Sequence, residues 1–226
     1  MTVVFDEMKG KFFNKKSMVF EKYHQEKSYI SETIISEILS LGVPEIIDEI
    51  IKDGEPILSA RDFPLMSELY DATTNIVEVL DCVESGMHFV EIGRILRTKT
   101  GNDMANYKYG ESHSKVAELL GLVKIDSSFR PKTVNLSYVG YYYLANRNNR
   151  DKLLTRLLLF TPVIRTIICK SNKECFEVSS LMNMFTPKTV NRRLSSTKIL
   201  FNKLVQSDEY CFKKIYDNAK FTLMEI

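Results

Sequence analysis

Hydrophobic residues in the second half of this chain recur at the three- and four-residue spacing of amphipathic helices, and the resulting elements follow the same order twice. In the first copy, the spacing predicts a short helix over Met87–Arg97, a turn over Thr98–Asp103 and a second helix over Asn102–Gly121. The residues of Leu122–Ser137 then predict two strands joined by a basic turn. The first copy is therefore expected to be two helices followed by a β-hairpin.

The second copy repeats this order between residues 176 and 225. The predicted elements are a short helix over Phe176–Phe185, a turn over Thr186–Lys188, a long helix over Val190–Val205 and a hairpin over Tyr210–Glu225. A helix held beside a basic hairpin suits duplex DNA, because the helix fits the major groove and the hairpin reaches phosphate. The pattern predicts a mainly α fold with short β-hairpins, namely a tandem winged helix-turn-helix protein with an additional N-terminal helical region.

Further helices are predicted before and between the two copies. They are expected over residues 31–40, from Pro44 to Asp53, over Leu65–Val83, over Tyr138–Asn146, over Asp151–Phe160 and from Pro162 onward. We accordingly divide the chain into three parts. These are an N-terminal helical region of residues 1–64, a first winged helix of residues 65–146 and a second winged helix of residues 147–226.

The net charge of the chain is only +2, but the charge is distributed unevenly. Residues 1–86 contain 8 Lys and Arg against 17 Asp and Glu, whereas residues 87–226 contain 23 against 12. A basic region beside an acidic one indicates that the C-terminal part meets a polyanion. The acidic helices either join two chains in a homodimer or cover the same core as a helical cap, and the sequence leaves both open.

The second helix of the first copy carries candidate DNA contacts on the side away from its apolar residues. Lys and Arg neutralise phosphate, Asn pairs with an adenine edge, and Ser and Thr hydroxyls bind phosphate oxygens. His113 is also expected at the surface or as a capping residue. The candidates on this helix and its hairpin are Asn106, Lys108, Lys115, Arg130 and Lys132.

The long helix of the second copy has the clearest periodicity in the chain. Its predicted core face consists of Val190, Leu194, Thr197, Phe201 and Leu204. The Arg192–Arg193 pair near the start of the helix is the strongest candidate, because a helix in the major groove makes its contacts mainly through its first turns. The candidates on this helix and the following hairpin are Lys188, Thr189, Arg192, Arg193, Ser196, Lys213 and Lys214.

A run of tyrosines follows the first hairpin, at Tyr138 and at residues 141–143. Tyrosine rings can stack on nucleic-acid bases. A run of this kind on a helix after a hairpin more often packs between helices, so packing is the favoured interpretation.

Two segments carry the pattern of a known family. Tyr107–Val123, followed by Leu136–Gly140, is similar to an aromatic-rich helix ending in LGL(I/V), a wing and then L-(S/T)-x-x-G. Thr189–Ser196, TVNRRLSS, is similar to T-(V/I)-x-R-R-x-S-(S/T). Together they resemble a prokaryotic family of tandem winged-helix proteins often linked to restriction or other defence genes.

The resemblance covers about residues 66–226 and implies DNA binding by both winged helices, or at least by the second. It places Thr189, Arg192, Arg193 and Ser196 on signature positions of the second recognition helix. Relatives often end that helix with tryptophan, whereas this chain has no tryptophan and carries Leu200 and Phe201 there.

The sequence offers little material for an enzyme site. It contains no P-loop and no G-x-G-x-x-G, H-E-x-x-H or G-x-S-x-G motif. A restriction-type nuclease needs a carboxylate and then Glu/Asp-x-Lys to hold magnesium, and only Glu7-Met8-Lys9 with Asp6 beside it fits. The four cysteines lack metal-ligand spacing and are expected to be buried free thiols. We predict no cofactor and no metal.

The chain has no apolar run long enough to span a membrane and no export signal at its start, so we expect a cytoplasmic protein without a membrane partner. The predicted function is binding of double-stranded DNA, as a transcriptional regulator or as the recognition component of a restriction or defence system. Two alternatives stay open: a nuclease with an unrecognised site, and an adaptor that uses winged helices to bind proteins.

Overall fold

Helices make up most of the part of the chain that the structure describes, and short strands lie between them. The computed structural model describes residues 35–36, 38–83, 86–97, 102–128 and 131–223. The helices are α1 (Val43–Asp53), α2 (Ile76–Asp81), α3 (Phe89–Leu96), α4 (Asp103–Leu119), α5 (Tyr138–Ala145), α6 (Arg150–Leu159), α7 (Pro162–Lys173), α8 (Pro187–Ser207) and α9 (Glu209–Asn218). The strands are β1 (Met87–His88), β2 (Val123–Asp126), β3 (Thr133–Leu136), β4 (Phe176–Glu177) and β5 (Ala219–Lys220).

The first copy folds into two helices and a hairpin, as its sequence pattern predicts. Strand β3 lies between β1 and β2 and is antiparallel to both. Met87 and His88 were expected in the short helix, but they form β1, so α3 begins only at Phe89. Asn102 caps α4 by accepting a hydrogen bond from the Ala105 N–H at 2.9 Å.

Ser137 fixes the hairpin to the helices on either side of it. Its hydroxyl accepts from the Gly140 N–H at 3.0 Å, which caps α5, and donates to the Gly121 carbonyl at 2.6 Å, just after α4. Gly121 has a φ of 76°, which favours glycine and ends α4 there. The positions of α4, the hairpin and α5 are therefore linked through one buried side chain.

The hairpin predicted over Tyr210–Glu225 is wrong. Residues 210–218 lie in helix α9, and β5 then pairs in parallel with β4, with Phe176 opposite Ala219. Phe212 and Ile215 are buried at helical spacing, and the Asp208 carboxylate accepts from the Cys211 N–H at 3.1 Å to cap the helix. The predicted short helix over Phe176–Phe185 is likewise β4 followed by a 3₁₀ helix over Val178–Met182.

Helix α8 confirms the clearest sequence pattern and extends it at the start. All five predicted core residues are buried. The helix begins at Pro187 rather than Val190, because proline at the first helical position has a fitting φ and no N–H to satisfy. Lys188, expected in the turn, therefore lies in the first turn of α8.

The helix predicted over Leu65–Val83 begins later than expected. A π turn over Asp71–Asn75 leads into α2, whereas the segment before Asp71 is irregular. Ser196 of α8 explains the difference, since its hydroxyl accepts from the Met66 N–H and donates to the Met66 carbonyl, both at 3.0 Å. A tertiary contact thus takes the backbone groups that a helix would use.

The acidic N-terminal helix α1 is packed against the same chain. Ile46, Ile47 and Ile50 of its apolar face lie in the core. Asp53, at the end of α1, binds Arg165 at 3.3 Å, and Glu55 binds Lys170 and Lys173 at 3.4 and 3.1 Å. The homodimer stays a prediction, but this apolar face is not available for it.

The buried residues from Ile35 to Ala219 belong to one hydrophobic cluster. Residues 35, 36 and 38–40 are helical, and residues 31–34 of that predicted helix lie outside the described residues. The division at residues 64 and 146 stays a prediction about the chain. Within the described residues, no helix combines the length and apolar character needed to cross a lipid bilayer.

Candidate nucleic-acid interface

Helix α8 has strongly one-sided charge. Its 21 residues include five cations and no carboxylate. The buried face fixes the helix orientation, so the opposite side faces solvent. Three of the five cations, Lys188, Arg192 and Lys198, are exposed there.

We define the basic stripe as Lys188, Arg192, Ser195 and Lys198. These positions follow one another at steps of four, three and three, and all four residues are exposed. The helix rises about 15 Å from residue 188 to residue 198, comparable with the roughly 12 Å width of the major groove. Within the described residues, no ion pair involves a cation of the stripe. These charges are therefore available to an external anion.

Arg193 and Ser196 point away from the stripe, toward the connector between α1 and the π turn (residues 54–70). Arg193 donates hydrogen bonds to the Phe63 carbonyl and, at 3.4 Å, to the Ala60 carbonyl, and its guanidinium lies 4.5 Å from the Phe185 ring centroid. Burial lowers the pKa of this guanidinium, with a smaller lowering by the charge of Arg192. Arg193 thus positions the helix rather than facing solvent.

The expectation that Ser196 is a surface contact is wrong. Only 1% of the residue is exposed, and its hydroxyl is occupied by the backbone of Met66. In each of the Arg-Arg and Ser-Ser pairs of α8, the two residues therefore have different roles. Arg192 and Ser195 face solvent. Arg193 and Ser196 hydrogen-bond to the backbone of the connector. Adjacent residues on a helix point about 100° apart, which is why each pair cannot serve one side.

Helix α4 is less suited than α8 to binding a polyanion. Lys108 is exposed, but the Lys115 ammonium binds the Glu111 carboxylate at 2.8 Å. Asp103, at the start of the helix, binds Arg94 at 3.0 Å. The carboxylates of α4 thus offset its two lysines, and Lys108 is its one candidate cation without such a pair among the described residues.

Two residues expected on the outer face of α4 are buried. Asn106 is 3% exposed, and its side-chain oxygen accepts from Arg97 Nη1 at 3.3 Å. His113 is 1% exposed and lies against the connector. The expected DNA contact by Asn106 and the surface position of His113 are therefore wrong, because α4 packs against both α3 and the π turn.

A polar cluster joins α4 to the segment before α2. The Tyr109 hydroxyl donates to the Asp71 carboxylate at 2.6 Å, and the Tyr109 and His113 rings stack with centroids 4.0 Å apart. His113 Nδ1 lies 2.8 Å from the Tyr109 carbonyl, and Nε2 lies 3.4 Å from Ser67 Oγ. The carboxylate faces Tyr109 rather than the imidazole, so the cluster lacks the carboxylate-oriented histidine of a hydrolase triad. Its contacts hold α4 in place.

Burial lowers the pKa of His113, against smaller opposing effects of the Tyr109 carbonyl and of nearby carboxylates. Burial also raises the pKa of Tyr109, and the hydrogen bond to Asp71 adds to the rise. Both groups are therefore held neutral near pH 7.

The free energy of unfolding is expected to fall as the pH drops below about 6.5, the ordinary pKa of histidine. The unfolded chain then takes up a proton that buried His113 resists, so stability is full above this pH and is lost in acid, by at most about 1.4 kcal/mol per pH unit. Urea unfolding from pH 5 to pH 8 measures this. His113→Asn should make the free energy of unfolding depend less on pH, whereas the control His88→Asn should not. If the pH dependence is unchanged in His113→Asn, His113 is not its cause.

The remaining predicted contacts lie on several elements. Lys132 is exposed beside β3, and Lys213 and Lys214 are exposed on α9 rather than on a hairpin. Thr189 is half-buried, with its hydroxyl 3.1 Å from that of Thr186 in the first turn of α8. Arg130 lies outside the described residues.

The tyrosines of α5 serve mainly in packing. Tyr138 and Tyr143 are buried, and the Tyr143 hydroxyl lies 3.0 Å from the Thr74 hydroxyl. Tyr141 is 46% exposed. The packing interpretation is confirmed for the two buried rings.

Lys198 and Lys220 were not among the candidates from the sequence. Lys198 extends the 188, 192, 195 spacing by one step, so periodicity alone could have revealed it. Lys220 was expected on a hairpin strand. Its position beside Lys198 depends on α9, which the sequence pattern did not predict.

Within the described residues, no group of three or more His, Cys, Asp or Glu side chains is placed to hold a metal ion. The nuclease candidates Asp6, Glu7 and Lys9 lie outside those residues. All four cysteines are free thiols, as predicted, although Cys82 and Cys175 are exposed rather than buried. Comparisons with protein-family models, curated proteins and solved structures gave no match.

Proposed function

We propose that this protein binds double-stranded DNA through the basic stripe of α8. The observation that supports this most strongly is the alignment of three exposed cations, without ion pairs among the described residues, on a helix that has no carboxylate. Phosphate oxygens are the anions such a stripe fits, because lysine and arginine pair with them. The Ser195 hydroxyl, between Arg192 and Lys198, already donates to the Asn191 carbonyl at 2.9 Å. The spacing matches a helix lying in or across a groove rather than a point contact.

We further propose that residues 71–136 act as a winged helix. In support, α2, β1, α3, α4 and the β2–β3 hairpin follow in the order of that fold, with β3 central in the sheet. Lys108 on α4 and Lys132 on the hairpin would add phosphate contacts. Because α4 carries nearly balanced charge, this unit would contribute less to affinity than α8.

In the second half, α9 takes the place of the expected wing. Its exposed Lys213 and Lys214 are cations on an element that packs against α8, and they are candidates for further phosphate contacts. A protein of this kind would act as a transcriptional regulator or as the DNA-recognition part of a restriction or defence system. The family resemblance of Thr189–Ser196, of Tyr107–Val123 and of Leu136–Gly140 supports those two roles.

One observation favours the adaptor as a second function. On the two helices of the first unit, Ile95, Met104 and Tyr107 are exposed, with 56%, 63% and 38% of their surfaces accessible. Apolar side chains of this size suit a protein surface better than phosphate. The first unit would then bind a protein while α8 binds DNA.

Purified protein is expected to bind a random-sequence duplex of about 20 base pairs at low salt and to lose affinity steeply as salt rises. Each neutralised phosphate contributes a slope of about −0.9 in log affinity against log salt, because binding releases counterions. Fluorescence anisotropy of a labelled duplex from 50 to 300 mM salt measures the slope. If no binding occurs at 50 mM salt, the DNA proposal is wrong and the adaptor takes precedence.

A further inference from the structure

A groove lies between α8 and the end of α9, where the basic stripe ends. It has a volume of about 270 Å³. Volumes near 300 Å³ are at the small end of the range for small-molecule sites, and so suit a single nucleotide unit. The residues that line it are Lys198, Tyr216, Asp217, Ala219, Lys220, Phe221 and Thr222.

Two half-buried rings form the apolar part of the groove. Tyr216 and Phe221 have ring centroids 6.3 Å apart, and each packs on Phe201 in the core, at 6.0 and 5.9 Å. The core therefore holds both rings in place, while one side of the pair borders the groove. Aromatic surface fixed in this way is what an unstacked base requires.

Two ammonium groups provide the polar part. Lys198 comes from α8 and Lys220 from β5, and both residues are exposed. The Lys220 ammonium donates to the Asp217 carbonyl at 2.8 Å, which holds it at the end of α9. The Asp217 side chain is the one acidic group of the lining. It can accept a hydrogen bond from a base N–H, such as the N3–H of thymine, while the two lysines bind phosphate.

We propose that this groove receives an unpaired nucleotide at the end of a bound duplex. The inference rests on the proposed function, because Lys198 belongs both to the stripe and to the groove: a duplex on the stripe would bring its terminus to the rings. The base would pack on Tyr216 and Phe221, and its phosphate would lie between Lys198 and Lys220. The favoured ligand is therefore duplex DNA with a single-stranded overhang rather than blunt duplex.

The test compares one 20-base-pair duplex in blunt form and with a four-thymidine overhang at the 3′ or the 5′ end, by anisotropy at fixed salt. Wild-type protein is expected to bind at least one overhang form roughly fivefold or more tightly than the blunt form, the effect of stacking one base. Phe221→Leu, which keeps apolar packing without an aromatic face, and Lys220→Gln should both lose this preference and keep blunt-duplex binding. Lys220 is exposed, so Lys220→Gln keeps the test valid if Phe221→Leu fails to fold.

Equal binding of all three duplexes by wild-type protein would overturn the groove proposal and leave the stripe standing. A preference that persists in both variants would also overturn it, because the overhang would then bind elsewhere. Absence of binding to every duplex would overturn the proposed function itself, and the groove proposal with it.

Discussion

Replacing Lys188, Arg192 and Lys198 together by alanine is expected to weaken duplex binding roughly 500-fold at 0.1 M salt, relative to a 1 M reference. Each phosphate contact raises the logarithm of the affinity by about 0.9 for every tenfold dilution of salt. Three lost contacts therefore account for a change of this size. Stability should change little, because all three side chains are exposed and no ion pair among the described residues involves them. Anisotropy measures affinity, and urea unfolding checks the fold.

The matched control removes the same charge from elsewhere on the chain, through Arg61→Ala, Arg147→Ala and Lys152→Ala. These residues are exposed, and no ion pair among the described residues involves them. The control is expected to change duplex affinity only a few-fold, by its effect on net charge. An equal loss in both triple variants would mean that binding follows overall charge and that α8 has no special part in it.

Gly110→Ala is expected to lower the free energy of unfolding by about 3 kcal/mol, the upper end of the usual cost of overpacking. A Cβ at Gly110 would overlap the Phe89 carbonyl oxygen, and one at Gly93 would overlap the Asn106 carbonyl oxygen. The backbones of α3 and α4 therefore touch where they cross, and backbone atoms cannot move aside as a flexible side chain can. The thermal midpoint should fall by about 6 to 12 °C.

Gly42→Ala serves as the control, because its φ of −70° is ordinary and the atom nearest to an added Cβ is Glu45 Oε2 at 3.5 Å. It is expected to cost less than about 1 kcal/mol. If Gly110→Ala unfolds at the same urea concentration as Gly42→Ala, the helices do not cross at contact distance. The placement of α4 and Lys108 would then be incorrect.

Much of the fold follows from periodicity and capping residues in the sequence. The core face of α8 could be predicted because five residues keep one spacing over four turns, and Ser137 marks the start of α5 because serine is a strong N-cap. The β2–β3 hairpin was correct for a similar reason, since a basic, turn-rich segment separates two short apolar runs.

Segments whose form depends on distant contacts were not predicted. The sequence of residues 210–220 is compatible with either a strand or a helix. Packing of Phe212 against Phe201 in the core stabilises helix α9. Residues 65–70 carry a helical pattern, but Ser196, 130 positions further along, hydrogen-bonds to the backbone of Met66. Such contacts leave no local signal.

Only part of the candidate site could be predicted, because the rest also depends on distant contacts. Outward residues of α8 such as Lys188 and Arg192 follow from its apolar face, whereas the inward role of Arg193 depends on the carbonyls of Ala60 and Phe63. On α4, glycine and small residues replace large apolar ones at the α3 crossing, so hydrophobicity did not show which side is buried. Asn106 was misplaced as a result.

The central claim is that the stripe on α8 lies against phosphate, and the salt dependence of binding tests it most directly. We would compare the log–log slopes of duplex affinity against salt for wild-type protein and the Lys188, Arg192 and Lys198 triple alanine variant. The slope of the variant is expected to be shallower by about 2.7, or about 0.9 for each lost phosphate contact. Equal slopes for the two proteins would show that these side chains release no counterions, and would contradict the claim.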